Sequence, residues 1–230
     1  MRVATAWVST TGDYNCVVST SDNVEKIAEA KFPTRWGQFR IIGFEGSFGC
    51  EGERRKETAV ALVMGDIHTG APLVRIHSQC LTGDVFGSMR CDCRQQLELA
   101  LAMIAAQGNG ILVYEQQEGR GIGLMAKLQA YKLQDEGLDT VEANERLGFK
   151  PDCREYALPV EVLKALGVKQ LRLLSNNPDK VHAVEAAGIE VVERVPCEVA
   201  PHQHTEKYLN TKRQKMGHLL SNFASKMSGR

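Results

Sequence analysis

Short apolar runs alternate with stretches of helical periodicity between about residues 97 and 195. Leu97, Leu101 and Ile104 recur at helical spacing, and the apolar run 110–114 that follows indicates a short buried strand. Further helices are predicted at 121–134, 160–166 and 180–187, with strands at 171–174 and 189–192. Such alternation is typical of a partly parallel sheet with helices packed on it. The sequence therefore predicts an α/β (α+β mixed) fold.

The first third of the chain has a different pattern, in which strands follow one another without helices. Residues 39–44, 58–64 and 72–77 indicate strands and residues 46–56 a loop, so we expect a meander of antiparallel strands. Residues 1–22 are polar and indicate either a flexible extension or an added edge strand. The last segment, 206–227, has the composition of a closing helix. We therefore expect an N-terminal extension over 1–22 and a single domain over 23–227.

The charge balance and the hydropathy pattern argue against several classes of protein. Lys plus Arg and Asp plus Glu number 28 each, so the net charge is zero, whereas proteins that bind nucleic acid usually carry a basic surplus. No apolar run approaches the roughly 20 residues of a membrane-spanning helix, and the first residues lack the apolar core of a signal peptide. We therefore expect a cytoplasmic protein with no nucleic-acid partner and no membrane partner.

Three of the seven cysteines are grouped as Cys80, Cys91 and Cys93. In a reducing compartment, an odd count and this close spacing favour metal binding or catalysis over a disulfide framework. Thiolates suit Zn2+, and three protein ligands leave the fourth tetrahedral position open for a water molecule. Two alternatives remain open: the cysteines act as small buried hydrophobes, or His77 completes a closed, structural site.

Three polar segments are candidate ligand-binding loops. Residues 117–123 are glycine-rich between a strand and a helix, where backbone N–H groups can approach an anion and Arg120 can add bidentate contacts. Asp152 and Arg154 follow a proline, and residues 175–180 follow an apolar strand at the edge where α/β sheets bind ligands. Each segment also has a purely structural interpretation: a tight turn without a ligand, a surface ion pair, and a helix N-cap.

Seven segments, in the order in which they occur here, resemble the GTP cyclohydrolase II family. They are residues 75–84, 90–93, 117–124, 139–144, 147–149, 174–178 and 215–220. The resemblance extends from about residue 24 to residue 220, and several long motifs in order are more specific than any one of them. It implies the fold of that family and a catalytic domain over 23–227.

The family hydrolyses GTP in the first committed step of riboflavin biosynthesis. The resemblance implies that this chain opens the imidazole ring to give 2,5-diamino-6-(5-phospho-ribosylamino)pyrimidin-4(3H)-one, formate and diphosphate. It also implies a Zn2+ ion in each subunit, Mg2+ on the triphosphate of GTP, and a homodimer. Two alternatives remain: a diverged paralogue that stops at the formamidopyrimidine or serves another pathway, and a non-catalytic regulator that binds guanine nucleotides.

The resemblance also implies roles for individual residues. The implied zinc ligands are Cys80, Cys91 and Cys93. Asp152 corresponds to the proton acceptor, Arg154 to a nucleophile at the α-phosphorus, and Tyr131 to a tyrosine of the ring-opening steps. A guanidinium is almost always protonated, so the Arg154 role requires a neighbouring base such as Asp152. The Glu118 carboxylate can accept a hydrogen bond from the guanine N1–H. The implied substrate contacts are Arg75, Ile76, His77, Ser78, Gln79, Gln96, Glu118, Gly119, Arg120, Thr140, Ser175 and Lys180.

Three residues depart from what is common in the family. Gln79 stands where Glu is common, Gln116 where Arg is common, and Arg94 where Gly is common. Each change alters charge or bulk beside the predicted site. Gln79 and Gln116 keep the paralogue alternative open, whereas the presence of Tyr131, Asp152 and Arg154 favours the full reaction.

Overall fold

A computed structural model describes residues 24–48, 55–200 and 205–220. In these ranges seven strands form one mixed sheet with the order β1-β2-β3-β5-β4-β6-β7. The strands are β1 (Val24–Thr34), β2 (Gly37–Phe48), β3 (Arg55–Met64), β4 (Leu73–Ser78), β5 (Gly110–Glu115), β6 (Gln170–Leu174) and β7 (Glu190–Val195). The α/β class predicted from the sequence is confirmed, with antiparallel strands preceding alternating strands and helices. The predicted extension over 1–22 lies outside the described residues.

Strands β1, β2, β3 and β5 pair antiparallel. The strands predicted at 39–44 and 58–64 are confirmed within β2 and β3. The loop predicted over 46–56 is wrong in part, because β2 continues to Phe48 and β3 begins at Arg55. Strand β1 was not predicted, because its side chains are exposed along nearly its whole length and therefore show no apolar alternation.

Strand β4 departs from the expected antiparallel meander. It pairs parallel with β5 on one side and with β6 on the other, so β5 separates it from β3. The run 72–77 is a strand, as predicted, but its place in the sheet was wrong. Five of its six residues are buried, which is typical of a central parallel strand covered on both faces.

Six helices and one π-helical turn (Leu81–Val85) connect the strands in the described residues. The helices are α1 (Cys93–Gln107), α2 (Leu124–Asp135), α3 (Thr140–Arg146), α4 (Ala157–Ala165), α5 (Pro178–Ala186) and α6 (Glu206–Met216). The helix predicted over 206–227 is too long, because Gly217 adopts φ 63° and ends α6. The short helix α3 was not predicted, although Asp139 and Glu142 form a capping box at its start.

Two apolar clusters cover the two faces of the sheet. On one face, α4 and α5 contribute Leu158, Val160, Val162, Leu163 and Val184 to the larger cluster. On the other face, α1 contributes Ala100, Leu101 and Ile104. The loops that follow β4, β5 and β6 lie at the carboxyl ends of these strands, where α/β sheets bind ligands. No helix within the described ranges is long and apolar enough to cross a membrane.

Candidate active site

Two adjoining clefts lie at the carboxyl ends of β4, β5 and β6. The cleft that contains Cys80, Cys91 and Lys127 is named here the thiol cleft, and the one that contains Arg75 and Lys180 the cationic cleft. Their shared walls are Ser78, Cys93, Arg120, Arg154 and Tyr208. The thiol cleft holds about 690 Å³ of space, including space open to solvent.

The predicted metal ligands come together in the thiol cleft. The Sγ atoms of Cys80, Cys91 and Cys93 lie within 4.8 Å of one another, and those of Cys80 and Cys91 are 3.7 Å apart. A tetrahedral ion with Zn–S bonds of about 2.3 Å requires sulfurs roughly 3.8 Å apart. A Cβ on Gly83 would lie 3.0 Å from the sulfurs of Cys80 and Cys91, so glycine leaves room for them to converge. The trio therefore fits Zn2+.

His77 lies outside this trio. Its Nε2 faces the carboxylate of Asp84 at 3.2 Å, and its ring stacks on Tyr114 with centroids 5.5 Å apart. Burial lowers the pKa of His77, which keeps the imidazole neutral at pH 7. The alternative in which His77 is a fourth metal ligand is therefore not supported by its position.

Lys127, on α2, was missed by the sequence reasoning. Its Nζ donates to Glu118 Oε1 at 2.6 Å. The same ammonium donates to Cys80 Sγ at 3.2 Å and to Thr82 Oγ1 at 2.9 Å. Burial disfavours its charge, but the hydrogen bond to Glu118 and the charges of Cys80, Tyr131 and Glu118 together outweigh burial and raise the pKa of Lys127. Lys127 is thus a buried cation in contact with a predicted metal ligand.

Tyr131 lies one helical turn after Lys127 and faces the same cleft. Its hydroxyl lies 3.0 Å from Thr82 Oγ1, and the guanidinium of Arg90 covers its ring at 4.8 Å. Burial raises the pKa of Tyr131, so the phenol is protonated at neutral pH. The spacing of four residues between Lys127 and Tyr131 is the sequence signal that could have identified the lysine.

The glycine-rich loop does not present a row of free amides. The N–H groups of Gly121 and Gly123 both donate to the carbonyl of Glu118. The Glu118 carboxylate also accepts from the backbone N–H of Leu81 at 2.6 Å. Arg120 adopts φ 62°, the only positive φ among the described non-glycine residues, and its side chain lies 3.3 Å from the hydroxyl of Thr140. The loop therefore offers the Arg120 side chain to the cleft.

The cationic cleft gathers side chains from three strand ends. Arg75 donates to the carbonyl of Leu174 at 2.9 Å and to Gln96 Oε1 at 2.6 Å. Lys180 is 4% exposed, and its Nζ donates to the carbonyl of Ile76 at 2.9 Å. Burial among other cations lowers the pKa of Lys180. A cleft that disfavours its own positive charges is suited to an anionic ligand.

Asp152 and Arg154 form a largely buried ion pair, whereas a surface pair was one of the expected interpretations. Arg154 Nε donates to Asp152 Oδ1 at 2.9 Å, and a second nitrogen donates to Oδ2. Burial disfavours the charge of Arg154, but the Asp152 carboxylate, together with Tyr156 and Tyr208, outweighs burial and raises the pKa of the guanidinium. Arg154 is therefore a firmly protonated cation in this arrangement.

The structure brings most of the predicted site residues to the two clefts. Those on a cleft wall are Arg75, His77, Ser78, Gln79, Cys80, Cys91, Cys93, Gln96, Glu118, Gly119, Arg120, Tyr131, Thr140, Arg154, Ser175 and Lys180. Two predicted residues do not line either cleft. The Ile76 side chain lies in the apolar core, and Asp152 lies behind Arg154. Of the three departures from the family pattern, only Gln79 lines a cleft, whereas Gln116 is exposed and Arg94 pairs with Glu98 on α1.

The C-terminal segment supplies further wall residues that the sequence reasoning missed. Tyr208 lines both clefts, and Lys212, Met216 and His218 line the cationic cleft. Lys212 Nζ donates to Asp92 Oδ1 at 2.9 Å, and both side chains are buried. Because Asp92 stands between Cys91 and Cys93, this ion pair docks α6 on the loop that carries the thiols.

Comparison with known proteins agrees with this geometry. The sequence model of GTP cyclohydrolase II matches residues 25–196. The riboflavin biosynthesis protein RibBA of Chlorobium phaeovibrioides is 52% identical over 199 residues, which are 86% of this chain and 47% of that protein. RibBA of Bacillus cereus is 53% identical over 86% of this chain and 49% of its own length. The chain thus spans about half the length of the curated relatives it matches.

One solved structure was also compared with this fold. It is the crystal structure of RibBX, a two-domain 3,4-dihydroxy-2-butanone 4-phosphate synthase from A. baumannii, with a TM-score of 0.44 and 18% identity. The match covers 79% of this chain and 42% of that chain. The family match, in contrast, extends over well more than half of the sequence and includes the three thiols and the ion pair. The chain therefore belongs to the GTP cyclohydrolase II family.

Proposed function

We propose that this chain opens the imidazole ring of GTP by hydrolysis and releases formate and diphosphate, as an enzyme of riboflavin biosynthesis. The observation that carries the proposal is the continuity of the two clefts. Three converging thiols and a group of cationic side chains share walls, so a nucleotide can place its base at one end and its phosphates at the other. We further propose a single catalytic domain over 23–227 that acts as a homodimer.

At the thiol end, Cys80, Cys91 and Cys93 would hold Zn2+. When bound, the ion would act as a Lewis acid that lowers the pKa of a coordinated water molecule. Lys127 donates to the Cys80 sulfur and thereby fixes its orientation. Glu118 ties the π-helical turn to the glycine-rich loop through the N–H of Leu81. These contacts hold the reacting end of the cleft in one geometry.

Tyr131 supplies a hydroxyl on the wall of the thiol cleft in our mechanism. Its contact with Thr82 orients the O–H, and its raised pKa keeps the proton available for donation to a ring nitrogen as the imidazole opens. Gln79 and Glu118 line the same walls and are our candidates for contacts to the guanine. Glu118 Oε1 already accepts from Lys127 and from the N–H of Gly119, whereas Oε2 accepts only from the N–H of Leu81 and can accept a further hydrogen bond.

At the cationic end, Arg75, Arg120 and Lys180 would contact the triphosphate, with Mg2+ as part of the substrate. Arg154 lines both clefts and lies where the base-binding and phosphate-binding ends meet. Its pairing with Asp152 holds the guanidinium protonated, so a nucleophilic role requires that Asp152 first accept its proton. Without that transfer, Arg154 stabilises negative charge that develops on the phosphate.

The test is incubation of the purified, zinc-loaded protein with GTP and Mg2+, with formate, diphosphate and the pyrimidine followed by mass spectrometry. Equal amounts of formate and diphosphate, together with the diaminopyrimidine, are the expected result. Accumulation of the formamidopyrimidine would favour a diverged paralogue and make Gln79 the first residue to revert. Nucleotide binding without any turnover would contradict the proposal and favour a regulator.

A further inference from the structure

Four buried side-chain nitrogen or oxygen atoms lack a hydrogen-bond partner among the described residues. They are Arg75 Nε, His77 Nδ1, Asn109 Oδ1 and His218 Nε2. Three of these four atoms belong to residues that line the cationic cleft, and the fourth, on Asn109, precedes β5 at the opposite edge of the sheet. A buried polar atom without a partner costs stability, so such atoms are rare. Their concentration in one cleft indicates that a ligand completes their hydrogen bonds.

The local structure that places His218 in this cleft is well defined. Helix α6 ends at Gly217, whose positive φ lets the N–H of His218 bond back to the carbonyl of Lys212 at 3.2 Å. The next N–H, of Leu219, donates to the carbonyl of Asn176 at 2.9 Å and ties the segment to the loop after β6. His218 is thus held between two backbone anchors.

The surroundings of His218 determine what kind of ligand group it can meet. Burial, together with the positive charges of Lys212, Arg154, Arg120 and Lys180, lowers the pKa of its imidazole to about 3. The ring is therefore neutral at pH 7 and carries one N–H, either on Nδ1 or on Nε2. When Nε2 carries the hydrogen, the ring is a hydrogen-bond donor that is surrounded by cations. The partner that fits this position is an acceptor with negative charge.

The side chains next to His218 restrict the chemical class of this acceptor further. Arg75 Nε always carries a hydrogen, so it also requires an acceptor. Lys180, 4% exposed, and Ser175, 1% exposed, line the same cleft and contribute a buried ammonium and a hydroxyl. A tetrahedral phosphate has several acceptor oxygens and matches this convergence of donors better than a single carboxylate does.

We propose that His218 is a substrate-binding residue whose Nε2–H donates a hydrogen bond to a phosphate oxygen bound in the cationic cleft. His218 lies with Lys212 and Met216 on the wall of the cationic cleft, so the C-terminal segment would complete the phosphate-binding end of the site. The identity of the ligand as a nucleoside triphosphate rests on the proposed function. The presence of a polyphosphate site does not depend on that function.

The direct test uses inorganic tripolyphosphate as the probe and calorimetric titration of the full chain. His218→Ala removes the donor, and we expect the dissociation constant to rise about tenfold, which corresponds to roughly 1.4 kcal/mol for one lost hydrogen bond. His218→Gln places an amide N–H near the position of Nε2 and should restore binding to within about threefold of the parent. The matched control is His182→Ala, on the exposed side of α5, which should not change binding.

A second measurement, by NMR, observes His218 in the unsubstituted protein. The imidazole 15N resonances of His218 in the unsubstituted protein, assigned by their absence in His218→Gln, should shift when tripolyphosphate is added. In steady-state assays with GTP, His218→Ala should raise KM about tenfold and leave kcat within about threefold. A merely structural role would instead lower kcat and the unfolding temperature together.

The outcomes separate the inference from the proposed function. Tripolyphosphate binding that depends on His218, without product formation from GTP, would support the inference and contradict the proposed reaction. If His218→Ala turns over GTP with an unchanged tripolyphosphate affinity and an unchanged KM, the proposed reaction is supported and the inference is contradicted. Unshifted His218 resonances at saturating tripolyphosphate would also overturn the inference.

Discussion

The thiol cleft and the cationic cleft differ in how their polar atoms are partnered. In the thiol cleft the charged groups are joined to one another: the Lys127 ammonium contacts Glu118, Cys80 and Thr82, and Thr82 contacts Tyr131. In the cationic cleft three buried atoms have no partner among the residues that the structure describes. One end is thus organised by the protein itself, and the other is, in our proposal, completed by its ligand.

This difference fits the two tasks that our proposal assigns to the site. Chemistry at a reacting centre requires groups held in place before the substrate arrives, because reorganisation during the reaction raises the barrier. Binding of a charged group can instead gain its free energy from donors that were left unsatisfied on folding. The following predictions separate the two ends, beginning with the largest effect.

Replacement of a thiol should have the largest effect. Cys91→Ser removes one of three soft ligands, so bound zinc should be lost and formate release should fall below detection. Zinc content and formate are measured together, with circular dichroism to verify the fold. Cys153→Ser, a thiol outside the trio, should retain zinc. Normal formate release by zinc-free Cys91→Ser would remove the metal from our mechanism.

Arg154 belongs to both clefts and therefore tests whether their functions can be separated. Arg154→Ala removes a cation at the junction, and we expect diphosphate release to fall by about a hundredfold, as for loss of one transition-state donor. The formate-to-diphosphate ratio is the informative quantity. A higher ratio would place Arg154 at the phosphate end, and an unchanged diphosphate yield would remove it from this role.

Lys127 tests the organisation of the thiol end through stability. Lys127→Met leaves Glu118 buried without its cation, and removal of one partner of a buried pair costs about 3 kcal/mol of the free energy of unfolding. The Lys127 and Glu118 side chains are only 11% and 9% exposed, so solvent screens the pair weakly. Denaturant unfolding measures the change. The control Lys132→Met, on an exposed position of α2, should change stability by less than about 0.5 kcal/mol.

The sequence predicted the elements of the fold better than their arrangement. Helix α1 and strand β5 follow from apolar spacing and from glycines at their ends, which are local signals. The place of β4 between β5 and β6 depends on pairing between segments that are far apart in the chain. Periodicity identifies a strand but not its partner, so the run 72–77 was assigned to the wrong half of the sheet.

The predicted site was incomplete for a similar reason. Sequence motifs identified residues on the loops after the strands, where polar residues stand out against apolar neighbours. Lys127 and Lys212 come from helices that contain other lysines, so residue type does not distinguish them, and only the spacing to Tyr131 could have indicated Lys127. Only the folded chain shows that each ammonium contacts a buried carboxylate, Glu118 in one case and Asp92 in the other.

The ion pair between Asp92 and Lys212 connects the two ends of the site through one contact. Asp92 stands between two of the thiols, and Lys212 belongs to the helix that carries the chain to His218. A ligand at one end that changed the free energy of docking of α6 would also change affinity at the other end. Such a coupling free energy is reciprocal. By whatever factor zinc changed the binding of polyphosphate, polyphosphate would change the retention of zinc by the same factor.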